Sequence, residues 1–224
     1  MTHRAMRLSA LAVAVASLVV FSHAASGSAS SLARGEWDFR VLLDDAPIGE
    51  HRFALASTAG GERQLVSEAS FAVKLLGVTV YRYRHSATET WRGDCLRRLR
   101  STTDDDGTPE KVDAEPAGDD GALAVTTPKG TRLVDGCVMS FAYWNPGIRG
   151  QERLLNAQSG KLEAVRVSRA GSGTVDVRGQ QMAATRWRIA TEAQPIDVWY
   201  SPQGEWLGLD SIVSGNRKLS YRLK

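Results

Sequence analysis

The feature that most constrains this chain is a period of two. From Gly35 onward apolar and polar residues alternate, whereas a helix would space its apolar residues about 3.6 apart. Trp37, Phe39, Val41 and Leu43 alternate with Glu36, Asp38 and Arg40. Asp44-Asp45-Ala46-Pro47 breaks that run, and Ile48–Ala56 resumes it with Gly49, His51, Phe53 and Leu55 on one face. Val78–Arg92 is the longest strand candidate: Tyr81, Tyr83, His85, Ala87, Glu89 and Trp91 share one face, and Arg82, Arg84 and Arg92 the other. Turn signals such as Gly171-Ser172-Gly173, Arg178-Gly179-Gln180 and Pro202-Gln203-Gly204 recur at the roughly 8–12-residue spacing of a β-sandwich or barrel. The expected fold is all-β, an antiparallel meander over residues 35–224 that forms a curved sheet, half-barrel or flattened barrel.

Two stretches depart from the alternation. Thr102–Gly121 reads as a weak hairpin with mobile tips and nothing to bury. Residues 138–144 are expected to form the one short helical segment, closed by Asn145-Pro146-Gly147. Phe141, Tyr143 and Trp144 cannot all face water cheaply, so Tyr143, Trp144, Asn145 and Pro146 are assigned a structural role in anchoring this segment.

The front end reads as an export signal. Met1–Arg7 carries His3, Arg4 and Arg7 without an acid, Leu8–Phe21 is apolar or small, and Ser22-His23-Ala24 offers small residues for cleavage. Residues 1–24 are therefore expected to be a signal peptide, 25–34 a flexible linker, and the mature protein periplasmic. No cysteine follows the apolar run, so lipoprotein anchoring is not expected, and no later stretch is long and apolar enough to span a membrane. Losing Arg4 and Arg7 from the 28 Lys and Arg leaves 26 against 25 acids, a net charge of +1. That balance is weak evidence for binding to nucleic acid or a membrane surface, and no nucleic-acid partner is expected. The sequence sets no oligomeric state. Cys95 and Cys137 are the only cysteines, and in an oxidising compartment such a pair is expected to form a disulfide, the alternative being two separately buried thiols.

Motifs for hydrolase elbows, phosphate loops, zinc proteases and dinucleotides are absent. No cofactor and no metal site is expected. The mature chain has two histidines, His51 and His85. They fall in the apolar phase of their strands with Phe53, Tyr81 and Tyr83, and Tyr200 and Tyr221 mark the same phase near the C-terminus. Aromatics with polar tips gathered on one concave face suit an amphiphile pocket, and the plainer reading is a filled core with both histidines hydrogen-bonded. The opposite phase carries Arg40, Arg52, Arg82, Arg84, Arg92, Arg186, Arg188 and Arg222, either a docking stripe or the wet side of a sheet.

The chain resembles an uncharacterised family of exported bacterial proteins, a domain-of-unknown-function group. The resemblance rests on Trp37-Asp38-Phe39-Arg40-Val41, Pro47-Ile48-Gly49-Glu50-His51, Ser140-Phe141-Ala142-Tyr143-Trp144-Asn145-Pro146 and Val198-Trp199-Tyr200-Ser201. It implies a β-rich periplasmic domain and no established activity. The expected architecture is similar to the open half-barrels that carry lipids across the periplasm. The leading expectation is a non-enzymatic binding or carrier protein for a lipid or other amphiphile. The alternatives are an envelope scaffold acting through its arginine face and a histidine-dependent enzyme. Terminal sequencing of protein purified from its native compartment should find the mature N-terminus between Ala24 and Ala29, and a protein still beginning at Met1 would contradict the export reading.

Overall fold

The computed structural model describes residues 34–58, 60–118 and 121–224. The expected signal peptide and nearly all of the expected linker lie outside the described residues.

Eight strands run in sequence, each pairing antiparallel with the next: β1 (Arg34–Leu43), β2 (Ala46–Ser57), β3 (Arg63–Leu75), β4 (Val78–Arg92), β5 (Cys95–Asp105), β6 (Thr108–Pro116), β7 (Leu123–Thr127) and β8 (Gly130–Val134). A connector then carries three short strands, β9 (Met139–Ser140), β10 (Arg153–Leu155) and β11 (Leu162–Ala164), which form a sheet of their own. The second meander follows: β12 (Arg166–Val177), β13 (Gln180–Ala190), β14 (Ile196–Tyr200), β15 (Trp206–Val213) and β16 (Arg217–Leu223). β16 pairs with β1, so the two meanders fuse into one thirteen-stranded antiparallel sheet among the described residues, with β12 and β8 at its edges. The sheet is open, and the connector leads from one edge strand to the other. Among the described residues no helix is long and apolar enough to cross a membrane.

The core lies between the inward face of this sheet and the connector. Phe39, Trp91, Leu96, Leu99, Val112 and Trp206 of the sheet pack in one cluster with Met139, Ala142, Trp144, Ile148, Leu154 and Leu155 of the connector. Polar sutures reinforce it. A disulfide joins Cys95 to Cys137, 42 residues apart. The Leu96 amide donates to the Val138 carbonyl (2.8 Å), and the Tyr200 hydroxyl to the Tyr143 carbonyl (2.7 Å). Arg149 lies over the rings of Tyr200 (4.5 Å) and Trp187 (5.1 Å).

Three expectations change. Residues 138–144 are not helical, and a short 3-10 helix spans Pro146–Gly150 instead. Asn145 and Pro146 open this helix rather than close one. The Asn145 side chain accepts from the Gly147 amide (2.9 Å), and proline tolerates a first helical position whose N–H has no intrahelical partner. Within the stretch expected to be a weak hairpin, residues 102–116 belong to a regular β5–β6 hairpin, and Val112 and Ala114 are fully buried on its inward face. Alternation with few apolar residues was enough, because the connector supplies the opposing surface. Gly171-Ser172-Gly173 is not a turn: β12 continues through it, with a bulge between Arg169 and Gly171.

Trp144 is buried, packed edge-on against Trp91 with ring centroids 5.5 Å apart, and Arg63 stacks over it at 4.8 Å. Truncating a large core aromatic typically costs about 3–5 kcal/mol. Trp144→Ala should therefore lower unfolding free energy by that amount in denaturant titration, and an unchanged midpoint would contradict the packing described here.

Candidate functional site

Register places the inward side chains in rows across the sheet. One row runs Phe39, His51, Ala69, His85, Thr103 over strands β1 to β5. The two histidines thus stand two strands apart with only the Ala69 methyl between them. The next row runs Trp37, Phe53, Ser67, Ala87, Ser101. The row beyond it is aliphatic except at one place: Leu55, Leu65, Glu89, Leu99, Ala114.

These rows form one wall of a cavity of about 360 Å³ between β2–β4 and the connector. His51, Phe53, Tyr83, His85 and Glu89 line the sheet side, and Ser140, Tyr143, Trp144 and Glu163 the connector side. The segment Thr191–Gln194, where β13 turns toward β14, also borders it. Small residues at Ala69, Ser67 and Ala87 leave room along the strands for that space.

Hydrogen bonds fix most of the polar groups. His51 Nε2 meets Ser67 Oγ at 2.7 Å and His51 Nδ1 meets the Tyr221 hydroxyl at 3.3 Å, while the ring stacks on Phe53 (4.0 Å). His85 Nδ1 meets Thr103 Oγ1 at 2.8 Å. Tyr83 donates to Gln158 Oε1 of the connector (3.0 Å). Asn156 Nδ2 donates to Glu163 Oε1 (2.8 Å). Glu89 is 5% exposed; Ser140 Oγ donates to one of its oxygens (2.8 Å) and Trp91 Nε1 to the other (2.9 Å).

Burial dominates the electrostatics. Desolvation, with a smaller push from His85, holds the His51 imidazole at about 3, and desolvation holds His85 at about 4. Both rings are neutral at physiological pH. Desolvation raises the Glu89 carboxyl to about 7 against the pull of its two hydrogen bonds. Among the described residues no lysine or arginine lines the cavity. The site therefore offers neutral hydrogen-bonding groups and a titrating acid, but no cation among the described residues.

The Ser67–His51–Tyr221 chain has the outline of a nucleophile and base. Its third member is a tyrosine hydroxyl, whose proton burial holds on well above the ordinary value. A catalytic triad needs a carboxylate there to stabilise the imidazolium. Here burial opposes that ion, so the arrangement suits binding better than proton abstraction. No group of three or more His, Cys, Asp or Glu among the described residues is placed to hold a metal.

Of the residues singled out from the sequence, His51, Phe53, Tyr83 and His85 line the cavity. Tyr221 sits behind His51 as its hydrogen-bond partner. Tyr200 is fully buried against the connector, so its ring belongs to the packing. Tyr81 lies further along β4, donating to Asp105 Oδ1 (2.7 Å). Glu89 as a site residue was missed, although it shares the inward phase of Tyr83 and His85. Ser140 and Glu163 come from the connector, and their approach to the site has no local signal. The arginine stripe also divides. Arg52, Arg92, Arg186, Arg188 and Arg222 are ion-paired to neighbouring acids, and Arg222 is mostly covered in its contact with Asp210 (2.6 Å).

The model of a family described as a domain of unknown function, DUF6134, matches residues 39–224. No curated protein matches the chain. Among solved structures, it is similar to a β-barrel-like protein of domain of unknown function DUF1849 from Brucella abortus. The TM-score is 0.61 at 14% identity, over 86% of this chain and 96% of that one. At that identity the likeness is one of fold.

The three buried titrating groups make opposed contributions to stability. Each histidine has a folded pKa below its ordinary 6.5, so each contributes stability above pH 6.5 that is lost as pH falls toward 4 and 3. Glu89 has a folded pKa above its ordinary 4.5, so its contribution is full below pH 4.5 and lost as pH rises to about 7. Between pH 5 and 6.5, Glu89→Gln should steepen the rise of unfolding free energy with pH by about 1 kcal/mol per pH unit, somewhat less than one proton's worth. His85→Gln should flatten it by the same amount. Denaturant titrations across that range check both, and slopes equal to wild type would contradict these environments.

Proposed function

The chain belongs to the DUF6134 family, which carries no assigned activity, and we propose that it is a binding protein for a small amphiphile whose polar end donates hydrogen bonds and bears no negative charge. The observation that carries this reading is the lining of the cavity. Aromatic faces from Phe53, Tyr143 and Trp144 stand beside acceptors on Glu89 and Glu163, with no cation present among the described residues. A carboxylate or phosphate head entering this space would meet one ionising acid and a second carboxylate. The lining holds no cation among the described residues, and its neutral amides and hydroxyls, such as Asn156, Gln158 and Tyr143, would repay only part of the loss of the head's water. An alcohol or amine would instead find acceptors at both glutamates. The volume is near the lower end of the roughly 300–1,000 Å³ of small-molecule pockets, so it fits one short chain or one end of a longer molecule.

The same geometry supports a carrier role, because a ligand would be held between the sheet and a connector joined to it by the Cys95–Cys137 disulfide and the Ser140–Glu89 hydrogen bond. The enzyme reading lacks a charged partner for His51, and the scaffold reading loses five of its eight arginines to ion pairs.

Intrinsic tryptophan fluorescence reports directly on the cavity, since Trp144 lines it. Dodecanol and dodecylamine should bind at least about tenfold more tightly than dodecanoate, the cost of one unpaired buried charge being well above 1.4 kcal/mol. Glu89→Gln should reduce the preference for the amine over the alcohol. Equal or tighter binding of dodecanoate would contradict the proposal.

A further inference from the structure

The β3–β4 hairpin outruns its neighbours. Pairing of β3 with β2 ends at Phe71, and pairing of β4 with β5 ends at Tyr83. Beyond them Ala72–Leu75 and Val78–Arg82 pair only with each other, apart from turn contacts of Asp105 and Asp106 at the base. Five residues of strand past Tyr83 make a finger roughly 16 Å long at about 3.3 Å per residue.

Its tip is apolar and uncovered. Leu76 is 96% exposed, and Leu75, Val78 and Val80 are each more than half exposed. These four are most of the exposed large aliphatics among the described residues, gathered within six positions of one hairpin. The turn itself is chemically odd. Leu76 and Gly77 both have positive φ (51° and 82°), a geometry that favours Asn, Asp or Gly at the first position. The comparable turns of this sheet use Asp44-Asp45, Asp106-Gly107 and Arg178-Gly179, and the arginine, unlike the leucine, donates from its side chain to the Lys224 carbonyl (2.8 Å). A leucine there gains nothing from folding: it is strained and wet. Such a residue makes sense when something outside the chain covers it.

Charge indicates what that is. From Ala69 to Thr88 there is no acidic residue, and Lys74, Arg82 and Arg84 lie within that span. Among the described residues none of the three has an ion-pair partner, whereas Arg52, Arg92, Arg186, Arg188 and Arg222 do. Arg84 stands opposite Asp104 in the β4–β5 register, which leaves Lys74 near the tip and Arg82 at the base of the finger. The three aspartates of the β5–β6 turn stay at the finger's base, where Asp104 accepts from the Gly107 amide and Asp106 from the Arg82 amide. The aliphatic tip and these two cations together match an anionic bilayer surface: hydrocarbon below, headgroup charge at the level of the cations. The inward face of β4 then leads from the tip through Tyr81 and Tyr83 to His85 and the cavity.

We infer that the β3–β4 finger docks the protein on anionic lipid, with Leu75, Leu76 and Val78 entering the acyl boundary and Lys74 and Arg82 at the headgroups. This surface is independent of which ligand the cavity takes.

Flotation with vesicles of phosphatidylcholine alone, and of phosphatidylcholine with a minority of phosphatidylglycerol, tests it. Wild type should float with the anionic vesicles and poorly with the neutral ones. The double variant Leu75→Ser, Leu76→Asn should lose at least about tenfold in partition, since it removes two leucines from hydrocarbon contact. It should keep its unfolding midpoint and its cavity affinity, because Asn accepts the positive φ at position 76. Lys74→Gln with Arg82→Gln should lose about fivefold per charge, on anionic vesicles only. A wild type that does not float at saturating anionic lipid overturns the inference. So does a tip variant that floats as well as wild type, or one whose main effect is to split a dimer in size-exclusion chromatography, since a second copy would then be what covers the tip.

Discussion

An open sheet of thirteen strands has an inward face that it cannot cover by itself. Closing the barrel would solve this, but β8 and β12 do not pair. Instead the residues between those two strands fold back into the concavity and supply the missing half of the core. Met139, Ile148, Leu154 and Leu155 are all but fully buried there. Each such side chain contributes roughly 1.5–3 kcal/mol on burial. The disulfide and the hydrogen-bond sutures add to that burial. They tie the connector down near Cys137, Ser140 and Tyr143, at its entry into the sheet's interior.

The candidate site is a consequence of the same arrangement. Where connector and sheet meet through large side chains, they form core; where the rows turn small, at Ser67, Ala69 and Ala87, they leave the cavity. Glu89 belongs to both functions. Its carboxyl holds Ser140 of the connector to the sheet, and it is also the acceptor nearest to titrating at neutral pH. A change in its protonation would therefore be felt in the cavity and by the connector together. The two histidines are different in kind. Each is satisfied by a hydroxyl and held neutral by desolvation, so they shape the wall without bringing charge into it.

Much of this was legible in the sequence because a strand's period maps directly onto its two faces. The odd residues of β4 do point inward, and the Asp44-Asp45 and Arg178-Gly179 turns fall where the alternation breaks. What alternation could not supply was context. It put Tyr200 with Tyr83, because both share a phase, although one meets the connector's backbone and the other an open space. It read Asn145-Pro146 as an ending, because proline blocks what precedes it, whereas an asparagine cap followed by proline is also how a helix begins. It undervalued Val112 and Ala114, since two small apolar residues look insufficient until a second layer covers them. Glu89 was visible as an acid in an inward phase. Its partner Ser140, 51 residues on, follows only from the return of the chain across the open side of the sheet.

The central claim is that the connector and the sheet form one cooperative core, and native-state hydrogen exchange tests it most directly. If the account is right, amides of β10 in the connector should exchange only through the same global opening as those of β5 in the sheet, with one protection free energy for both. Exchange of the β10 amides at a much lower free energy, with β5 still protected, would contradict it: the sheet would then be stable with its concave face uncovered, and the cavity would have no fixed second wall.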